Sequence, residues 1–330
     1  MYKQLFIPPT FEYHFYLNPE NTMKIKNILM LMALATLWGP SFMLIKIAVA
    51  EISPLLLAGF RIAVAALTLL AILWFRRQQL STNRKFLRNV AIAGLFAHAI
   101  PFTLFNWGEM YIDSALASIL NGLTPLFTIT LAHFFISDEK ITLQKSVGTF
   151  IGFTGLILLI SPNLSAGSSA ALMGILAVSL AAFSYAIGII FSKKFLIGCK
   201  PMHAPTAQLL ITSVYLLPLG FVLDAPASFT AISWQAAGAV LILGVFGTAL
   251  AFILYYRILE SAGASFLSYS VYIVPVYGVV LGTVFMNERL SVEVIIGAGI
   301  ILLGLLVANG VLKFRKISKT VEVSKEPALD

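Results

Sequence analysis

Arg61, His98 and Asn106 each lie inside a long apolar run, where a polar side chain is costly and needs a reason. Arg carries a planar fork of donors suited to carboxylates and phosphates. His is the side chain whose ordinary pKa lies near neutrality, so His98 is a candidate proton carrier. A stripe of smaller polar groups follows: Ser114, Ser118, Asn121, Pro125 and Thr128. Steps of three and four residues put all five on one helical face. Ser265, Ser268, Tyr272 and Pro275 form a second, more aromatic stripe. Trp38 and Tyr185 add rings in the middle of apolar runs, where stacking can hold an apolar or aromatic part of a ligand. One cation, several hydrogen-bonding groups and aromatic faces are the means to hold a small polar molecule. Pro125 and Pro275 are the candidate hinges, since a proline inside a span bends it and frees a carbonyl.

Bond-breaking constellations are missing from the sequence. It has no His-Glu-x-x-His, and Gly263-Ala-Ser265 is too short a match to a serine nucleophile motif. Glu109, Asp113, Glu139 and Glu288 fall near the ends of apolar runs, so a buried carboxylate relay is not expected. The single cysteine, Cys199, allows no disulfide within the chain and no Cys/His metal set. No enzyme activity, cofactor or metal is expected. A channel would need a filter-like ring of carbonyls or charges, and no such segment is present. Each candidate also has a structural reading. The stripes would serve as packing faces joined by interhelical hydrogen bonds worth about 0.6 kcal/mol each. Arg61 and Lys46 would snorkel to the surface. Trp107, Tyr255 and Tyr256 would belong to interfacial belts.

The elements that must position these residues are membrane spans. Hydrophobic residues make up 59% of the 330 and charged residues 11%, against about 25% charged in soluble domains. Apolar runs long enough to cross a bilayer fall at 27–48, 55–75, 89–109, 115–136, 146–162, 171–192, 204–223, 236–256, 265–286 and 294–312. The fold expected is all-α: a polytopic membrane protein with ten transmembrane helices in two inverted five-helix repeats. The excess charge of +8 lies in the connections, which excludes a nucleic-acid partner. Placing the N-terminus inside puts all of the 22 Lys and Arg residues on the cytoplasmic side except Lys46, Arg61 and Arg289. Both termini are therefore expected in the cytoplasm. Residues 1–26 form the N-terminal cytoplasmic segment, and the first 22 of them, Met1 to Thr22, do not read as a signal peptide. Met23 is the expected natural start, ahead of a short basic stretch. Residues 313–330 form a mixed-charge tail.

The two halves repeat each other. Asn121-Gly-Leu-Thr-Pro125 with Asp138-Glu139-Lys140 corresponds to Val271-Tyr-Ile-Val-Pro275 with Asn287-Glu288-Arg289. Phe102, Leu104 and Ser118 fall on Phe252, Leu254 and Ser268. Five spans per copy force the copies, 27–162 and 171–312, to point in opposite directions. Such repeats build a site near the bilayer midplane that opens to either side in turn. The glycines of spans 5 and 10, Gly148, Gly152, Gly155, Gly297, Gly299 and Gly304, read as a close-packed scaffold.

At these residues the chain resembles the drug/metabolite transporter superfamily, and within it the EamA-type transporters of ten spans, over residues 28–312. The motifs are Leu37-Trp-Gly-Pro-Ser-Phe with Lys46, Gly59-Phe-Arg61, Pro125 followed by Glu139, Phe183-Ser-Tyr185 with Lys193, and Pro275 followed by Glu288-Arg-Leu. The resemblance implies a proton- or gradient-driven, or exchange-type, carrier of small metabolites such as amino acids in a bacterial inner membrane, working as an exporter. A metabolite importer and a lipid or lipid-linked sugar flippase are the alternatives. The expected partners are the metabolite and membrane lipid, with a homodimer as one possible assembly. The substrate-binding set is Trp38, Arg61, His98, Asn106, Ser118, Asn121, Tyr185, Ser268 and Tyr272. Gln208 stands where a basic mate of Arg61 would fall, so equivalent charges in the two repeats are not expected.

The orientation predicts a labelling pattern for single cysteines in a Cys199→Ser background. Cysteines at Ser165 and Ser228 should react with an impermeant thiol reagent added outside intact cells, and those at Ser81 and Ser318 should not. The reverse pattern would invert the topology.

Overall fold

The computed structural model describes residues 19–312, except 138–139, 166–167, 197, 200–201, 224–231 and 268. Ser228, Glu139, Ser268 and the tail from Lys313 thus lie outside the described residues, as does most of the N-terminal segment. The described chain is helical, and no strand occurs in it. Among the described residues, eight helices are long and apolar enough to span a membrane: α1 (Ile25–Val49), α2 (Pro54–Phe75), α3 (Arg84–Gly108), α4 (Ser114–Phe135), α5 (Leu143–Ser161), α6 (Ser169–Phe195), α7 (His203–Leu223) and α8 (Trp234–Ala262). Two shorter apolar helices follow, α9 (Ser270–Phe285) and α10 (Val292–Ala308). With no water in hydrocarbon to satisfy the backbone, a spanning segment must bond within itself, which is why these runs are helices.

Local signals set the helix starts. Asn83 accepts from the backbone N–H groups of Lys85 and Phe86 at the head of α3. Ser233 and Ser291 cap α8 and α10 in the same way. Pro54 opens α2, where a missing N–H costs nothing. The breaks are equally local. α1 is interrupted at Gly39-Pro40, against Tyr277 of α9, and Thr36 shares a 2.9 Å hydrogen bond with the hydroxyl of that tyrosine. α4 breaks at Gly122-Leu123, just ahead of Pro125, which opens its second half.

The second repeat is not a copy of the first. The helix continues beyond the α8 span to Leu267, running through the positions that correspond to the 109–113 connection. The next break falls at Tyr269, and Pro275 lies inside an unbroken helix. Of the two expected hinges, Pro125 therefore sits at a helix break and Pro275 within a continuous turn.

The largest interfaces all join a helix of one repeat to a helix of the other: α5 with α10, α2 with α7, α3 with α6, α4 with α9, α4 with α6 and α1 with α8. The halves interlock. The main core cluster follows the same rule, with Leu116, Leu120, Leu123 and Leu159 buried against Ile175, Val178, Val274 and Ile301. The α5–α10 pair is the closest. A side chain at Gly304 would meet the backbone of Gly148 and Gly152, and one at Gly297 would meet that of Gly155 and Leu159. Gly299, expected in this scaffold, instead faces open space. Spacing alone made it look equivalent, but it lies on the outer face of α10.

Gly304→Leu should cost about 1–3 kcal/mol by overpacking, read as a lower melting temperature of the detergent-purified protein. Gly299→Leu should stay within about 0.5 kcal/mol of wild type. Equal effects at the two positions would contradict this helix pairing.

Candidate functional site

The mate helices α3 and α8 each contain a stretch of π-helix, at Leu95–Ala99 and Val245–Leu250. These begin 150 residues apart, the same spacing as Pro125 and Pro275. A π-turn shifts the helix register and is often found at functional sites. His98 and Thr248 hold the same place in the two bulges, and each bonds to the other repeat. His98 Nε2 meets Gln208 Oε1 of α7 at 3.1 Å, and Arg61 Nε of α2 donates to Thr248 Oγ1 at 3.0 Å. Gln208 and Arg61 are thus partners in a reciprocal arrangement, one neutral and one charged. Aligned glycines make it fit. Added side chains would strike Thr212 and the Gln208 carbonyl at Gly94, and Val64 and the Arg61 carbonyl at Gly244. Those two glycines are the sequence signal that motif reading missed.

Aromatic rings surround this polar pair of pairs. The Arg61 guanidinium lies 4.1 Å from the centre of the Phe102 ring, and the residue is only 7% exposed. That is cation–π distance in a desolvated setting, worth about 2 kcal/mol. His98 stands between Phe102 and Phe252, 5.7 and 5.5 Å from their ring centres. Tyr185 of α6 packs against Phe102 and Phe105. Arg61, His98 and Tyr185 are therefore brought into one cluster by α2, α3 and α6, joined by Gln208, Thr248 and Phe252. Arg61 does not snorkel.

Trp38 reaches this cluster through Tyr255 and Phe252, whose ring centres are 6.4 Å apart, and the remaining candidates have other partners. Trp38, at the α1 break, packs with Tyr255, 6.1 Å between ring centres, so Tyr255 lies within α8 in an internal cluster and not in an interfacial belt. Asn106 is fully buried and donates to the Pro54 carbonyl at 2.9 Å, while its Oδ1 has no partner. Ser118 bonds back to Ala115 O at 2.7 Å and sits where a side chain on Gly278 would collide. Helices α4 and α9 do pack together, and at Ser118 they meet closely. Asn121 is half-buried at the α4 break. Tyr272 donates to Leu305 O at 3.0 Å and accepts from Asn309 Nδ2 at 2.7 Å, so its hydroxyl is held by the end of α10.

The basic-poor end of the bundle holds a second polar cluster. Lys46 is not a lipid-facing anchor: its Nζ donates to the Glu109 and Ile112 carbonyls at 2.6 and 2.7 Å, closing the end of α3. Glu288 of the second repeat caps α4 of the first. Its carboxylate accepts from Ser114 N, Ser114 Oγ and Ala115 N at 2.8–2.9 Å, an anion at a helix N-terminus. Asp113, the residue placed to cap that helix, makes no such bond. Asn287, with a φ of 54°, turns the chain to bring Glu288 in, and Gly282 leaves room for its carboxylate. Burial and the nearby Glu288 push the Asp113 carboxyl upward, and Lys46 pulls it down.

Glu109 corrects the sequence reading. Hydropathy places it at an interface, yet the residue, one past the end of α3, is 0% exposed. Counting residues along a span gives its height in the bilayer and says nothing of what covers it from the side.

Two stretches, 25–161 and 172–310, match the EamA-like transporter family. The chain is 27% identical over 293 residues to YoaV, an uncharacterized transporter of Bacillus subtilis (strain 168), covering 89% of this chain and 100% of that one. An uncharacterized transporter of Archaeoglobus fulgidus is 30% identical over 281 residues, covering 85% and 98%. YedA, an uncharacterized inner membrane transporter of Escherichia coli (strain K12), is 29% identical over 264 residues, covering 79% and 83%. A protein of known crystal structure shares the fold at a TM-score of 0.62 and 20% identity, covering 86% of this chain and 96% of that one. Two matches, one for each set of five helices, leave one assignment: the chain belongs to the EamA-like transporter family, a family of membrane transporters.

Proposed function

We propose that this transporter is a secondary carrier that exports small metabolites, amino acids or related compounds, by alternating access. It resides in the bacterial inner membrane with both termini in the cytoplasm. The observation that carries the reading is Arg61, a desolvated cation laid on Phe102 and tied to Thr248 of the opposite repeat. A substrate carboxylate drawn to that guanidinium binds at the seam between the repeats, where its contacts differ with how the repeats are packed. Differential contact of that kind is what lets a ligand shift a conformational equilibrium. Tyr185 and His98 complete the polar and aromatic surroundings. Trp38, Asn106, Ser118, Asn121, Ser268 and Tyr272 are assigned to the wider path, with Pro125 and Pro275 as its hinges. The basic-loop bias supports the orientation, and the inner-membrane relative supports the location.

Untargeted comparison of intracellular and medium metabolites, with and without the gene, identifies the cargo. An exported compound should accumulate inside when the gene is deleted. A change confined to lipid headgroups would favour a flippase.

With the cargo in hand, Arg61→Gln should lower its transport about tenfold or more, the scale of one charge-assisted hydrogen bond, at an unchanged amount of folded protein. Thr248→Val, which removes the partner of Nε and keeps the charge, should raise KM by a smaller factor. Normal transport per molecule in Arg61→Gln would make Arg61 a packing residue and overturn the assignment.

A further inference from the structure

Glu109 is fully buried, and neither of its carboxylate oxygens has a hydrogen-bond partner. The nearby cation is engaged elsewhere: Lys46 spends its Nζ on the backbone carbonyls of Glu109 and Ile112. The charged and titratable groups facing Glu109 are Lys46 from α1, Arg61 from α2 and Glu288 from the second repeat. Asp113 stands in the same connection, and α6 brings Tyr185, which faces Arg61. Close packing holds the site shut. A side chain on Gly108 would collide with Val178 and Gly174 of α6, and Glu288 clamps the head of α4 on the other side.

An ionised carboxylate without donors is among the least favourable groups to bury, whereas the neutral acid loses far less on leaving water. Burial accordingly holds this carboxyl well above the usual range; Lys46 and Arg61 oppose the rise and Glu288 adds to it. The packing of the basic-poor end and the protonation of Glu109 are then one equilibrium.

We propose that Glu109 is a proton-binding site, occupied while the basic-poor end is closed as seen here and emptied when that end opens to water. This rests on the alternating-access reading and names its coupling ion and the residue that carries it. On opening, the O–H bond of the neutral acid breaks, the proton passes to water, and the carboxylate left behind is free to pair with Lys46 or Arg61. No other reactant is needed. The closed state binds the proton more tightly than the open state, whose carboxyl is near the exposed value of about 4.3. Closure therefore takes up a proton at any pH between the two values, and raising the pH through that window favours opening.

The test uses the full-length protein in a Cys199→Ser background, with a single cysteine at Ser118, one turn along α4 from the end that Glu288 caps. An impermeant maleimide is applied from the basic-poor side between about pH 6 and pH 8. The labelling rate is divided by that of the same cysteine in a Glu109→Gln protein, which cancels the ionisation of the thiol itself. The ratio should rise several-fold with pH, with a limit of about tenfold per unit for one proton, and Glu109→Asp should keep the dependence. Superimposable profiles for Glu and Gln would overturn the proposal. Infrared spectroscopy gives a second reading on the wild-type protein, so the proposal stays testable even if Glu109→Gln fails to fold. A protonated-carboxyl band should be present at neutral pH and should titrate away as the pH is raised; its absence would equally overturn the proposal. Neither readout needs substrate, so failure here leaves the carrier reading standing. A carrier with no metabolite signature would fail the earlier experiment instead.

Discussion

Hydrocarbon offers no hydrogen-bond partner, so every interruption of a spanning helix must be answered by another part of the protein. In this chain the answers come repeatedly from the opposite repeat. The carbonyl of Phe96, inside the α3 bulge, accepts from Ser184 of α6 at 2.8 Å. The bare N-terminus of α4 is capped by Glu288, 174 residues away from Ser114 in sequence. Other needs are met within a repeat, as where Lys46 closes the end of α3 and the buried Asn106 amide finds an acceptor in Pro54 O. Breaks that would be forbidden in an isolated helix are thereby tolerated, and the two π-helical stretches carry His98 and Thr248 of the polar cluster.

Interlocking has a mechanical consequence. Because the largest interfaces join unlike repeats, the halves cannot separate as two rigid bodies without losing most of the core. Rearrangement is more readily absorbed where the chain is already broken, at Gly39-Pro40, Gly122-Leu123 and the two π-turns. The scaffold is near-symmetric and its chemistry is not. Arg61 faces Thr248 where the mirrored pair is Gln208 and His98. The connection carrying Glu109 has as its counterpart a continuous stretch of α8. A repeated frame that carries Arg61 and Glu109 in one half only presents a single polar direction to a ligand, which matched charges would not.

Much of this was legible in the residues. The apolar runs, their pairing in two copies, and the polar character of Arg61, His98 and Tyr185 follow from hydropathy and spacing, which are properties of the chain read one segment at a time. Helix ends differ by a few residues, as at α3, where the expected span starts at 89 and the helix starts at Arg84. Register within a span was less accessible. A π-turn has no residue signature of its own, and only the aligned Gly94 and Gly244 hint at it.

Hydropathy and internal repetition are enough to establish that the chain lives in a membrane, that its backbone must be helical there, and that two copies of one five-helix plan are joined. Those facts depend on solvent and on local bonding, and both are encoded along the chain. Which side chains answer which breaks emerges from the packing in three dimensions: Glu288 caps a helix of the other repeat, Ser118 packs on Gly278, Tyr272 is held by α10, and Glu109 is sealed from water. Burial and hydrogen bonding at those positions are set by neighbours dozens to hundreds of residues away, and no window along the chain contains them.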